Sequence, residues 1–135
     1  MLWASQVAVG HDNALRLRIH GETGGLDWAQ EAPDRLWHSP LGAPKRLLTR
    51  AGPGAGPSAA RLSRLPPGHP EGYLEAFANL YAEAAAAILA RAEGRDPPPE
   101  VSFPGIADGL AGMAFVDACV RSSSRDTAWV ALAPP

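Results

Sequence analysis

The longest regular pattern of apolar residues begins at Leu74 and has the spacing of a helix with one buried face. Apolar side chains recur every three or four positions, at 74, 77, 80, 81, 84, 85, 88 and 89. Pro70 suits the first turn of a helix because its fixed φ is already helical. Glu71 places negative charge near the positive end of the helix dipole. Gly94 and three later prolines end the pattern, so the sequence predicts a long helix over residues 71–93.

The residues before this helix alternate between apolar and polar instead. Leu15, Leu17 and Ile19 fall on one face of an extended segment and charged side chains on the other, which predicts a strand half-buried in an antiparallel sheet. Short segments of the same kind follow at intervals of about ten residues, separated by turn residues. They are 26–30, 35–39 and 46–50. This regular spacing is typical of a meander, in which consecutive strands pair as hairpins.

Three other segments complete the predicted architecture. Residues 1–9 are expected to form a strand, and residues 127–132 a last short strand or a docked tail. A second helix is predicted over 106–121, although Gly109 and Gly112 lower its intrinsic propensity unless they permit close helix packing. The predicted fold class is therefore α+β, with a mainly antiparallel meander sheet backed by two helices.

Composition narrows the class of protein. A chain of 135 residues is long enough for one domain, 1–135, which would bury about two-thirds of its unfolded surface if it were complete. The net charge of −2 gives no electrostatic case for nucleic acid or an anionic membrane. The single cysteine, Cys119, excludes an internal disulfide and favours a reducing cytoplasm. We expect neither a signal peptide nor a membrane span. Because the chain begins within a predicted strand, we expect its true start to lie upstream.

Residues 51–69 are rich in Gly, Pro, Ala and Ser, and they predict a long loop that is mobile over 51–66. Gly52–Pro57 is not a phosphate-binding loop: it lacks the Gly-Lys-Ser/Thr ending and the strand-then-helix setting, and its prolines remove N–H donors. No Gly-x-Gly-x-x-Gly follows a predicted strand and opens a helix. The sequence therefore contains no dinucleotide-binding motif.

His69 is the strongest candidate for chemistry. An imidazole at the start of a helix, beside Tyr73, can hydrogen-bond a hydroxylated or anionic ligand. The alternative is a helix-entry residue whose ring packs locally. The other candidates, His11, His20, His38 and Cys119, lie in separate segments without the spacing of metal ligands. We therefore expect no metal site, and the residues by themselves show no complete catalytic constellation.

The order of four stretches along the chain resembles the C-terminal half of Gfo/Idh/MocA-type oxidoreductases, a family of NAD(P)-dependent sugar and inositol dehydrogenases. The stretches are Ala-Leu-Arg-Leu-Arg-Ile-His-Gly-Glu at 14–22, Gly-Gly-Leu-Asp-Trp at 24–28, His-Pro-Glu-Gly-Tyr-Leu-Glu-Ala-Phe at 69–77 and Asp-Gly-Leu at 108–110. The resemblance covers nearly all of the chain. It implies a C-terminal substrate and oligomerisation domain without the family's Rossmann domain.

The family's cofactor glycines, its Glu-Lys-Pro lysine and its Asp-x-x-x-His pair belong to stretches upstream of the region matched. Glu-Lys-Pro does not occur in this sequence, and Asp12, the nearest early aspartate, has Arg16 rather than a histidine four places on. No catalytic residue of the family is therefore carried over. The resemblance implies that this chain alone is inactive and binds no cofactor. NAD or NADP is expected for the full-length enzyme.

The resemblance also assigns roles to residues that are present. His69 and Tyr73 match a motif placed to reach the substrate pocket, so both are expected to bind a sugar-like small molecule. The outer face of the sheet is expected to pair with a second copy of the chain, through the face or its edge. The side chains expected on or near that face are Arg16, Arg18, Trp28 and Trp37. The alternative is a stand-alone, non-enzymatic module for self-association or small-ligand binding.

Overall fold

The structure, a computed structural model, describes residues 2–132. Its elements in chain order are β1 (Arg16–His20), β2 (Gly24–Ala29), β3 (Arg35–Pro40), β4 (Arg46–Thr49), α1 (Pro57–Leu62), α2 (Tyr73–Ala92) and α3 (Ile106–Ser123). They fall into two compact units, the first ending at Asn79 and the second beginning at Leu80. The α+β class is confirmed. The packing of the two long helices behind the sheet stays a prediction.

The four strands form one sheet in the order β1-β2-β3-β4, and every neighbouring pair is antiparallel. The predicted meander is therefore confirmed. In the register, Leu17 opposes Trp28 and Arg18 opposes Asp27, which in turn opposes Trp37. Because neighbouring positions of a strand point to opposite faces, Trp28 lies on the face of Leu17 and not on that of Trp37. The prediction that Trp28 lies on or near the outer face of the sheet, with Arg16 and Arg18, is therefore wrong.

The apolar face of β1 is exposed. All five residues of the strand are exposed, and Leu17 and Ile19 retain 50% and 61% of their accessible surface. The prediction of a half-buried strand is therefore wrong for β1 in the described chain. Across residues 2–132 the only buried apolar side chains are Ala90 and Ala118, and no large side chain is fully buried.

The accessible surface of 11088 Å² is correspondingly large. A folded monomer of 14.1 kDa is expected to expose about 6,700 Å², and its extended chain about 20,000 Å². Folding therefore buries about half of the surface of the extended chain, whereas a complete domain of this length would bury about two-thirds. The physical reason is that the buried apolar residues are small, while the large ones stay in contact with solvent.

The helix α2 confirms the long helix predicted from the apolar pattern, with its first residue at Tyr73. Just before it, the backbone N–H of Gly72 donates to the Glu75 carboxylate at 2.9 Å, which satisfies one of the donors left unpaired at a helix start. After it, Gly94 has φ of 71°, a left-handed conformation that glycine adopts without steric cost. The predicted stop at Gly94 is therefore confirmed.

In the second unit, two carboxylates accept hydrogen bonds from backbone N–H groups near the start of α3. Asp108 accepts the backbone N–H of Gly105 at 2.7 Å, at the start of α3. Glu83, only 6% exposed, accepts the backbone N–H of Ser102 at 2.6 Å and so ties the segment before α3 to α2. The predicted second helix is confirmed and extends two residues further, to Ser123.

Three segments differ from the predictions. Residues 2–9 contain no strand, and Met1 lies outside the described residues. Residues 127–132 also form no strand, because side chains of α3 rather than a neighbouring strand bind their carbonyl groups. Ser122 Oγ donates to the Ala128 carbonyl oxygen at 2.9 Å. The predicted loop contains α1, in which Pro57 supplies a helical φ near the first position.

Two glycines provide a test of the backbone packing. A Cβ at Gly24 would lie 2.8 Å from the backbone oxygen of Ser39, so Gly24→Ala forces the hairpin apart and should cost about 1–3 kcal/mol. A Cβ at Gly109 would meet no atom of residues 2–132 within 4 Å, so no close contact with these residues requires a glycine there. Gly109→Ala should therefore stabilise α3 by about 1 kcal/mol. Thermal unfolding followed by circular dichroism measures both, and equal stability of the two variants would contradict the structure.

Candidate functional site

A cleft of about 640 Å³ lies in the first unit, between the β2–β3 turn and the start of α2. Residues 31–35 form one wall, and residues 70–75 form the other. The walls come close at Gly72, where an added Cβ would lie 3.2 Å from Pro33 Cγ. A side chain at position 72 would therefore require the Pro33 ring to shift by a few tenths of an ångström.

The first wall is a tight turn closed by backbone and side-chain hydrogen bonds. The N–H of Ala32 donates to the Ala29 carbonyl oxygen at 3.1 Å, and that of Arg35 donates to Ala32 at 3.1 Å. Trp28 Nε1 donates to the Pro33 carbonyl oxygen, also at 3.1 Å. These bonds fix the turn that carries Asp34 to the cleft.

The second wall is the entry to α2. The Glu75 carboxylate lies at the positive end of the helix, and the backbone N–H of Gly72, followed by that of Glu75 itself, lowers its pKa. The Tyr73 ring packs edge-on against Phe77 with 5.0 Å between ring centroids. Tyr73 stays 71% exposed, so its hydroxyl is accessible from solvent.

One guanidinium group joins the two walls. Arg50 Nε donates to Asp34 Oδ1 of the first wall at 2.6 Å, and Nη1 lies 2.8 Å from Glu71 Oε2 of the second. Arg50 also donates to the carbonyl oxygens of Leu65 at 2.8 Å, Pro66 at 3.3 Å and His69 at 2.7 Å. Five acceptors therefore surround the five N–H groups of this side chain, which is only 15% exposed.

Glu71 is the buried partner in this cluster, with a side chain 6% exposed. Its carboxylate accepts the backbone N–H of Arg64 at 2.9 Å and that of Leu65 at 2.8 Å. The Arg64 side chain in turn donates to Asn79 Oδ1 at 2.6 Å. A carboxylate removed from water thus receives charge-assisted bonds on both oxygens, which offsets its loss of hydration.

The predicted site residues occupy different positions. Tyr73 lines the cleft, whereas His69 is exposed and does not itself line it. The backbone carbonyl of His69 is held by Arg50 instead. Sequence reasoning missed Arg50 altogether, since an arginine at the end of a short strand has no distinctive spacing from the helix 20 residues later. The role of His69 and Tyr73 in ligand binding stays a prediction.

The cleft can hold a ligand that carries hydroxyl groups. Glu31, Asp34 and Glu75 bring carboxylate oxygens to it, and Tyr73 brings a phenolic group that both donates and accepts. Hydroxyl groups donate to carboxylates and accept from a phenol, so this set suits a sugar or polyol better than an apolar molecule. Among residues 2–132, no three metal-ligating side chains come together.

The glycine-rich segment does stand between a strand and a helix, β4 and α1, contrary to the sequence interpretation. The helix has only six residues, begins with Pro57, and receives no side-chain cap at Gly56. A pyrophosphate needs a run of free N–H groups at a helix start, and the proline removes one. The glycine-rich segment therefore lacks the run of N–H groups of a phosphate-binding loop.

The described part of the chain contains no helix long and apolar enough to cross a membrane.

Solved structures similar to this chain are oxidoreductases. An oxidoreductase from Sinorhizobium meliloti is 60% identical with a TM-score of 0.89, over 94% of this chain and 35% of its own. An inositol dehydrogenase homolog from Azotobacter vinelandii, complexed with NADH and myo-inositol, is 33% identical with a TM-score of 0.85. That match covers 95% of this chain and 34% of the homolog. The resemblance to Gfo/Idh/MocA-type oxidoreductases is confirmed.

A curated relative agrees with the solved structures. The oxidoreductase YfiI of Bacillus subtilis is 31% identical over 130 residues, which is 96% of this chain and 33% of YfiI. No family model matches the chain. The chain thus has the fold of a C-terminal oxidoreductase domain and spans about a third of the length of the relatives it matches.

Replacing Glu71 tests how far the cluster around Arg50 stabilises the first unit. Glu71→Gln keeps the shape but removes the charge, and it places an amide donor among the N–H groups of Arg64 and Leu65. We expect a loss of about 3 kcal/mol, as for other ion pairs broken by removal of one buried partner. Urea unfolding measures the loss.

Asp27→Asn is the matched control for Glu71→Gln. Asp27 pairs with Arg16 at 2.6 Å on the exposed sheet, and the 55% exposure of the Arg16 side chain weakens that pair through solvent screening. The control should lose much less stability than Glu71→Gln. If the two variants lose equal free energy of unfolding, the buried ion pair of Glu71 stabilises the first unit no more than an exposed pair does.

Proposed function

We propose that this chain is the substrate-binding and self-association domain of an NAD(P)-dependent dehydrogenase that acts on a sugar-like or polyol substrate. One observation carries the proposal: 95% of the chain matches an inositol dehydrogenase homolog complexed with NADH and myo-inositol. The cleft supports it, since its carboxylates and Tyr73 suit a polyhydroxylated ligand. A reducing cytoplasm is the expected location.

In such an enzyme the bound nicotinamide supplies the hydride chemistry. This chain's own residues bind and orient the substrate. Tyr73 donates to or accepts from a substrate hydroxyl in the cleft. His69 lies outside the cleft lining, and its proposed role is to bind the same ligand from the residue before Pro70. We expect the cofactor to be held by the part of such an enzyme that this chain does not span, since the chain covers only 34% of the inositol dehydrogenase homolog. By itself the chain is therefore expected to turn over no substrate.

Self-association is the second part of the proposal. The chain exposes about 4,400 Å² more surface than a folded monomer of its mass, which exceeds the roughly 1,000–2,500 Å² that one partner contributes to a large permanent interface. Leu17 and Ile19 contribute an uncovered apolar stripe on the first strand of the sheet. Exposed apolar patches of this kind mark surfaces that associate. A second copy of the chain, pairing through the sheet face or its edge, is the proposed partner.

Calorimetry tests the binding role directly. The chain titrated with myo-inositol should show saturable binding, which His69→Ala abolishes because the ligand loses a hydrogen-bonding side chain. The matched control is His11→Ala, an exposed histidine outside the cleft, which should bind like the parent. Titration with NAD⁺ at micromolar concentration should give no binding heat. Binding of NAD⁺ by the chain, or equal affinity of His69→Ala and the parent, would contradict the proposal.

Light scattering tests the association. At micromolar concentration the chain should have at least twice its monomer mass of 14.1 kDa. Ile19→Lys should shift it toward monomer, because a charge in the apolar stripe would have to lose its hydration at the interface. Val9→Lys, at an exposed position outside the sheet, should leave the mass unchanged. A monodisperse parent monomer would refute the association.

The alternative function is a non-enzymatic module that binds itself or a small ligand without taking part in oxidoreduction. The exposed apolar stripe of β1 is the observation that favours it, since association alone would cover that surface. The two functions differ in one measurable way. If the chain restores dehydrogenase activity when mixed with a separately expressed cofactor-binding domain, the dehydrogenase role holds, and failure with intact self-association favours the module.

A further inference from the structure

We infer that Arg50 is the positioning residue of the cleft: it sets the spacing of the two walls and the place of His69 without touching the ligand. The inference rests on the proposed function, because it gives Arg50 a role in binding the polyol proposed there. Arg50 does not line the cleft itself. Its acceptors, however, belong to both walls or to the segment that leads into them.

Arg50 is connected to the first wall by two hydrogen bonds, both to Asp34. The backbone N–H of Arg50 donates to the Asp34 carbonyl oxygen at 2.9 Å, and Nε donates to the Asp34 carboxylate at 2.6 Å. Arg50 directly follows β4, so its backbone position is set by the sheet. The guanidinium is therefore anchored on a strand end, and Asp34 is held to it by both main chain and side chain.

The connection to the second wall is made from the same planar group. Nη1 lies 2.8 Å from Glu71, and Nη2 donates to the His69 carbonyl oxygen at 2.7 Å. These two residues flank Pro70, whose ring fixes φ. The short segment before α2 is thus held at both ends, so the position of His69 relative to Asp34 depends on the shape of one side chain.

Only an arginine can hold this arrangement. Its five N–H groups lie in a fixed plane and point in different directions, whereas a lysine offers three donors from a single nitrogen atom. Lysine at this position would keep the charge near Glu71 but could not also reach Asp34 and the His69 carbonyl. The walls would then be free to separate. A ligand that needs groups from both walls would lose affinity, even though every residue that contacts it is still present.

The test compares Arg50→Lys with Arg16→Lys by NMR and calorimetry, with myo-inositol as the probe. Arg16 also forms a two-bond pair with a carboxylate, Asp27, but on the exposed sheet. Measurements are made well below the unfolding midpoint of each variant, so that the folded fraction is the same. Arg50→Lys should shift the His69 and Tyr73 ring signals and weaken myo-inositol binding about tenfold, roughly the effect of losing one charge-assisted hydrogen bond. Arg16→Lys should change neither.

Asp34→Asn provides a second variant that is less demanding on folding. It keeps an oxygen acceptor for Arg50 but removes the charge, so the His69 and Tyr73 ring signals should shift in the same direction by a smaller amount. Because Asp34 itself lines the cleft, these ring signals, rather than myo-inositol affinity, report the positioning role in this variant. If both variants bind like the parent and leave the His69 and Tyr73 signals unmoved, Arg50 does not position the cleft.

The outcomes separate this inference from the proposed function. If the parent binds myo-inositol and Arg50→Lys binds it equally well, the positioning role fails while the proposed function stands. If the parent binds no myo-inositol but the ring signals of His69 and Tyr73 move in Arg50→Lys, the geometric role stands and the proposed ligand is wrong. If neither binding nor movement is seen, both are overturned.

Discussion

The cleft depends on one guanidinium that is nearly removed from water. Arg50 and Glu71 are 15% and 6% exposed, and each would be costly to bury alone. Their charges balance, and backbone groups satisfy what remains: carbonyl oxygens for the arginine, and the N–H groups of Arg64 and Leu65 for the glutamate. The β2–β3 turn, the segment before α2 and the helix start are all held through this pair.

The rest of the chain contributes little burial by comparison. The sheet has uncovered apolar side chains on β1, and the second unit buries Ala90 and Ala118 but no large side chain completely. Polar contacts therefore have a larger part in fixing the described loops than a hydrophobic core does.

Some interpretations from sequence were wrong for a shared reason. Residues 2–9 have the composition of a strand, yet a strand needs a neighbour to receive its backbone hydrogen bonds, and composition does not reveal one. Residues 51–69 are rich enough in Gly and Pro to predict a loop, but Pro57 favours a short helix, and Asn79 donates a hydrogen bond to the carbonyl oxygen of Leu62 at its end. Composition alone does not reveal whether such a distant partner is present.

The alternation around Leu17 and the three-to-four spacing from Leu74 determined the meander and the long helix, because periodicity of that kind follows from backbone geometry. The ordered stretches also determined the family resemblance. Only the tertiary structure decided that Arg50, rather than His69, joins the cleft walls, and that Trp28 lies opposite the charged face. The reason is that these facts depend on register and on contacts between segments about 15 to 20 residues apart, which no local pattern encodes.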